Sequence, residues 1–229
     1  QGQPAHETLR AFHQRPVPQA GARPQCGSGG TDGDAARSVR RGPLHGIPIA
    51  HKDIYETKGI RTTGHSKILA DHVPEEDATL VARLAAAGTV LLGKLATHEF
   101  AMGGPSFDLP WPPARNPWNL AHFTGGSSSD SGAALAAGLT PAALRSDTGG
   151  SVRIPCALNG CAALRPTVGR YPQAGIAPIS HTRDTAGPMA LAMADIALLD
   201  RVIAGGGAVK VADLRKVRLG VTPSSLANL

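Results

Sequence analysis

The sequence predicts an α/β fold, because segments with helical spacing alternate with short apolar strands. Residues 77–87 (DATLVARLAAA) carry an N-capping Asp77, apolar residues at helical spacing and Gly88 as a stop, and the strand 89–92 follows at once. Residues 129–137 repeat the pattern, ending at Gly138 before a strand at 142–144, and 193–203 (MADIALLDRVI) form a third amphipathic helix stopped by Gly205, Gly206 and Gly207. Upstream, Gly46 to Asp53 reads as a short buried strand with Pro48 near its start, and residues 217–221 read as a further strand beginning. Before Gly42 the pattern changes: Arg15 to Arg41 is rich in Gly, Pro and Arg, so 1–41 is expected to be poorly ordered and 42–229 to hold the folded domain.

Composition narrows the function. The 229 residues are 41% hydrophobic, enough to fill a core, and only 3% aromatic, too few for stacking platforms on single-stranded nucleic acid. The net charge of +6 sits at the two ends. Residues 1–41 contribute +3 and residues 210–229 another +3, leaving a neutral middle and no basic stripe for nucleic acid. Cys26, Cys156 and Cys161 form no Cys-x-x-Cys pair, which suggests a reducing, cytoplasmic setting. Neither a charged-then-apolar leader nor an apolar run of about 18 residues is present, so a membrane span is not expected. The start at Gln1, without a methionine, reads as a fragment.

Several familiar templates fail at the residue that would do the chemistry. Gly88 to Leu95 nearly matches a phosphate-binding loop, but Leu95 has no hydroxyl for magnesium and the four intervening residues are strand formers. His98-Glu99 opens like a zinc-protease helix, yet Met102 stands where the second histidine belongs. Nine histidines lack distinctive context, and neither the G-x-S-x-G elbow nor the S-x-x-K motif occurs. No metal or cofactor is expected.

Three other features point to acyl transfer. Asp147-Thr148-Gly149-Gly150-Ser151 offers unobstructed backbone N–H groups that can converge as an oxyanion hole beside the Ser151 hydroxyl. The first glycine-serine turn in chain order, Gly125 to Ser129, opens a helix and reads equally well as an N-cap, the turn at 147–151 being the second. Lys52 ends a buried strand, where an unpaired ammonium is costly, and Asp53 cannot easily pair with it because successive strand residues point to opposite faces. As a base near pH 7 its pKa would have to fall from the ordinary ~10.4, a change within reach of burial.

Taken in order, GPLHGIPIAHKD, DATLVARLAAAGTVLLGKLATHEFAMG, RNPWN, GGSSSDSGAALAAGL, SDTGGSVRIP, LRPTVGR and DTAGPMA closely resemble the amidase signature family over residues 42–190. The resemblance implies an α/β/α core around a mixed sheet and a Ser-cisSer-Lys triad that hydrolyses carboxamides to acid and ammonia through an acyl-enzyme. It assigns Ser151 as nucleophile, Ser127 as the bridging serine after a cis peptide and Lys52 as base. Backbone N–H groups of Thr148, Gly149, Gly150 and Ser151 would form the oxyanion hole, with Gly126, Ser128, Asp147 and Arg153 in support.

The match has departures. Asp130 and Arg145 stand where the family usually has Gly, Gly132 where Ala is usual, and His181 where a small residue is common. The expected partner is a small amide, and an uncovered sheet edge would favour association with a second copy. Two other readings are the A subunit of a glutamyl-tRNA amidotransferase and an inactive remnant. Family members run about twice this length, so the resemblance places only the catalytic half here, truncated on the C-terminal side. The stretch from Phe107 to Pro113, aromatic and proline-rich, is expected near the substrate entrance.

Overall fold

A computed structural model describes residues 41–206, apart from 106 and 110, and residues 213–218. The expected disorder of 1–41 thus falls, save for Arg41, outside the described residues. In chain order the elements are β1 (Pro48–Lys52), α1 (Thr79–Ala86), β2 (Val90–Leu95), α2 (Ser129–Ala136), β3 (Ala142–Asp147), α3 (Arg153–Asn159), β4 (Ala162–Ala163), β5 (Thr185–Ala190) and α4 (Met193–Ile203). The strands form one mixed sheet in the order β2-β1-β3-β5-β4. Both neighbours of β1 run parallel to it, and β5 runs antiparallel to β3 and β4.

Two apolar clusters hold helices to the two faces. On one, Leu80 and Leu84 of α1 and Ile196, Leu199 and Ile203 of α4 pack with Ile49, Leu144 and Ala190. On the other, Leu135 of α2 and Val152 and Cys156 beside and within α3 meet Met189. Ala190 and Met189 are consecutive in β5, and the pleat sends them to opposite sides. The result is the α/β/α arrangement around a mixed sheet that the resemblance implies. The α2–α3 contact is close because α2 is built of small residues: a Cβ added at Gly132 would lie 2.6 Å from Asn159 Nδ2. Gly132 in place of alanine is therefore matched to Asn159.

Local readings diverge from the sequence in four places. Asp77 does not cap α1; Ala78 is the N-cap, and the Asp77 carboxylate instead accepts the Lys58 N–H at 2.7 Å. The second glycine-serine turn also opens a helix, α3, and Gly160 in the left-handed region ends it. β5 escapes a pattern search because it contains Gly187 and Pro188. Pro188 lies one residue past the β4 pairing, at the end of that ladder, where a missing N–H is tolerated. Val217 and Arg218 are not in a strand, and the rest of the expected strand at 217–221 lies outside the described residues. No helix among the described residues is long and apolar enough to cross a membrane.

Candidate active site

Parallel strands β1 and β3 deliver their C-terminal ends to the same edge, and the site is built there. Lys52, the last residue of β1, is fully buried. Its Nζ donates to Ser127 Oγ at 2.8 Å and to Ser146 Oγ at 3.2 Å. Burial holds the Lys52 pKa well below its ordinary value, and the Arg145 guanidinium lowers it further against the opposing pull of Asp147 and Asp184. Asp53, as expected from strand alternation, turns away and accepts from the Thr63 N–H and hydroxyl at 3.0 and 2.5 Å.

Ser127 sits in the turn before α2, and the Gly126–Ser127 peptide is cis. Its carbonyl accepts from the His98 N–H at 2.9 Å and from Thr97 Oγ1 at 2.8 Å, so the segment after β2 clamps this turn from behind. The His98 ring lies against Gly126, where an added Cβ would come within 2.1 Å of it. Ser128 is buried with no hydrogen-bond partner for its hydroxyl among the described residues, so it supports the turn by packing.

β3 runs directly into the second turn. Asp147 caps it from below: its carboxylate accepts from Arg153 Nε and Nη2 at 3.1 Å, from Arg165 Nε at 3.1 Å and from the Val152 N–H at 3.2 Å. Burial pushes the Asp147 carboxyl up, but the Arg153 guanidinium and the Val152 and Arg153 N–H groups hold it below the usual carboxylate value. Thr148 donates through Oγ1 to Asp184 at 2.5 Å, which ties the turn to the loop before β5. Gly150 has φ +143°, and a Cβ there would meet Ile154 at 2.7 Å, so the turn requires glycine at that position.

Both turns open onto one cavity of about 650 Å³, walled by Ser127, Thr148, Gly149, Gly150 and Ser151 on the polar side and by residues such as Phe123, Ile154 and Ile179 on the apolar side. The structure thus brings Ser127 and the 148–151 turn together on one cavity, with Lys52 buried behind Ser127 and bonded to it. No described residue of the 107–113 stretch lines the cavity, whereas residues 101–105 do, and Trp111 packs on His65 with ring centroids 5.4 Å apart. His181 lines a smaller neighbouring cavity of about 190 Å³ with Asp184 and Ser146.

The unusual residues fall in different places. Asp130 is held by the Ala96 N–H at 3.0 Å and makes no ion pair with Lys52. Arg145 turns inward and is fully buried, with none of its guanidinium nitrogens hydrogen-bonded among the described residues. Ser146, Thr97 and His98 also reach the site, although the sequence assigns none of them to it. All three lie within family-like segments, but nothing in one sequence reports a hydrogen bond across strands or turns.

Comparison with known proteins supplies relatives. The family model for Amidase matches residues 28–219. The A subunit of the glutamyl-tRNA(Gln) amidotransferase from Roseiflexus castenholzii is 45% identical over 221 residues, covering 90% of this chain and 44% of that protein. Its counterpart from Azotobacter vinelandii is 51% identical over 173 residues, with 75% and 36% covered. Among solved structures, the native peptide amidase from Stenotrophomonas maltophilia is similar with a TM-score of 0.70 and 40% identity, covering 77% of this chain and 37% of that one. The A subunit of the Thermotoga maritima glutamyl-tRNA(Gln) amidotransferase has a TM-score of 0.68 at 42% identity, with 72% and 36% covered. The chain spans less than half the length of these relatives.

Proposed function

The chain belongs to the amidase family, and from that premise we propose that residues 42–229 carry the acyl-transfer machinery of a carboxamide hydrolase. The observation that carries this reading is the 2.8 Å bond between a fully buried Lys52 and Ser127, in a cavity that Ser127 shares with Ser151.

Ser151 Oγ attacks the amide carbonyl carbon while Ser127 Oγ accepts its proton and passes its own to Lys52 Nζ. A lysine stripped of water is neutral before the reaction and has a lone pair to receive it. The carbonyl oxygen becomes an oxyanion, which the N–H groups of Thr148, Gly149, Gly150 and Ser151 stabilise from fixed positions. Collapse of this intermediate breaks the C–N bond, and the departing nitrogen takes the proton back from Lys52 through Ser127. Water then attacks the acyl-Ser151 ester by the same relay and releases the carboxylate. Gly126 and Ser128 shape the first turn, while Asp147 and Arg153 hold the second.

The test is labelling with a fluorophosphonate. The folded chain is expected to be modified at Ser151, with Ser151→Ala unlabelled and Lys52→Met slowed at least a thousandfold. A folded chain left unmodified at every pH would overturn the reading and mark an inactive remnant instead. The identity to the amidotransferase relatives favours a second reading, in which glutamine supplies ammonia to partner chains. Hydrolysis of glutamine only on adding such partners supports it, and turnover of simple amides by the protein alone counts against it. Among the described residues Cys156 and Cys161 are free thiols, which fits the proposed reducing, cytoplasmic setting.

A further inference from the structure

Arg145 is a buried cation with no assigned task. It is among the largest fully buried side chains, and its three guanidinium nitrogens lack hydrogen-bond partners among the described residues. It lines neither the 650 Å³ cavity nor its smaller neighbour, so it cannot hold a substrate carboxylate. Its place in the sheet is informative. The β1–β3 ladder pairs Ala50 with Ala143 and ends at His51 with Leu144; continued by one residue, the same register sets Lys52 beside Arg145, whose charge acts on it. Neighbouring strands lie about 4.8 Å apart, so the two side chains leave the sheet from adjacent points.

The groups around this pair offer no counter-ion bond. Three carboxylates act on it, and each is held elsewhere: Asp147 by Arg153 and Arg165, Asp184 by Thr148 and two backbone N–H groups, and Asp130 by the Ala96 N–H. The remaining titratable neighbours are neutral at pH 7. Burial pulls the His51 pKa down to about 3 and lowers that of His98, while it pushes the Cys156 thiol up to about 12 and raises those of Cys161 and Tyr55. Two adjacent, fully buried cations without a bonded anion strongly disfavour each other's charge. A guanidinium holds its proton far more tightly than an ammonium, so the lysine is the one to give way.

We propose that Arg145 is a positioning residue for the acyl-transfer reaction, its charge adding to burial in keeping the neighbouring Lys52 amine ready to accept a proton from Ser127. The inference rests on the proposed role of Lys52 as base. It gives a task to a long cation in a central strand just before the catalytic turn: its field acts through Lys52.

The experiment titrates Lys52 Nζ directly by 15N NMR in lysine-labelled protein, which needs no turnover. In the wild type Lys52 is expected to be neutral at pH 7. In Arg145→Met, which keeps the volume and removes the charge, the midpoint should rise by at least one pH unit, a tenfold or greater gain in proton affinity. The acid limb of Ser151 labelling should rise with it, while the plateau rate at high pH stays within a few fold. A purely structural role would instead lower labelling equally at all pH. Should Arg145→Met not fold, Arg145→Gln gives the same readout with polar volume retained. A Lys52 midpoint that stays put in a folded variant overturns the inference, and so does a wild-type Lys52 protonated at pH 7. If Ser151 is unlabelled at every pH while the midpoint still moves, the acyl-transfer reading fails and the electrostatic coupling stands.

Discussion

Gly126→Ala tests how tightly the first turn is clamped. The φ of Gly126 is outside the left-handed region, so the cost is contact and not backbone strain. The new methyl would lie 2.1 Å from His98 Cε1 and 2.4 Å from Nε2, against an ordinary separation of about 3.5–4.0 Å. The ring must therefore retreat by about 1.5 Å. It is not free to do so: Nδ1 bonds the Gly103 carbonyl at 2.9 Å, and the ring stacks on Phe123 with centroids 5.8 Å apart. Overpacking costs about 1–3 kcal/mol and a lost neutral hydrogen bond about 1 kcal/mol, so Gly126→Ala should destabilise by about 2–4 kcal/mol. The displaced segment also holds the Ser127 carbonyl, so Ser151 labelling should fall as well. Urea denaturation followed by Trp111 and Trp118 fluorescence measures the first, and labelling kinetics the second. His98→Ala vacates the space the methyl needs. In the double variant the two costs should overlap, with a coupling of at least about 1 kcal/mol. Costs that simply add within about 0.5 kcal/mol would refute the contact as the cause.

Two further outcomes follow from buried charge. His51 binds its proton only near pH 3 when folded but near 6.5 when unfolded, so the unfolded state holds more protons between those values and stability falls as pH drops through that window. In chemical denaturation at pH 4, 5 and 6, His51→Leu should remove about 1.4 kcal/mol per pH unit of that slope, and a variant with an unchanged slope would contradict a neutral buried imidazole. Asp147→Ala removes the acceptor shared by Arg153, Arg165 and the Val152 N–H. Because Arg153 is 56% exposed and Arg165 26%, solvent takes over part of what is lost, and a destabilisation of about 2 kcal/mol is expected, with Ser151 labelling slowed more than tenfold. Labelling at the wild-type rate would show that the second turn holds its shape without this anchor.

Helices α1, α2 and α4 and strands β1, β2 and β3 are legible in the chain's own residue order, because their apolar spacing and glycine stops are local signals. It also placed Lys52 in the core, from its position at the end of an apolar run, and it identified both glycine-serine turns by residue type alone. What it could not carry is pairing across distance. β5 has glycine and proline in its middle and becomes a strand because β3 lies along its whole length. Ser146 meets Lys52, and Thr97 with His98 holds Ser127, through separations of 29 to 94 residues that leave no periodic trace. The fate of the two odd charges was likewise a tertiary decision. Asp130 found a backbone donor on the neighbouring segment, while Arg145 was drawn inward beside Lys52. Residue type says that a guanidinium keeps its proton, but only the sheet register says which amine must live next to it.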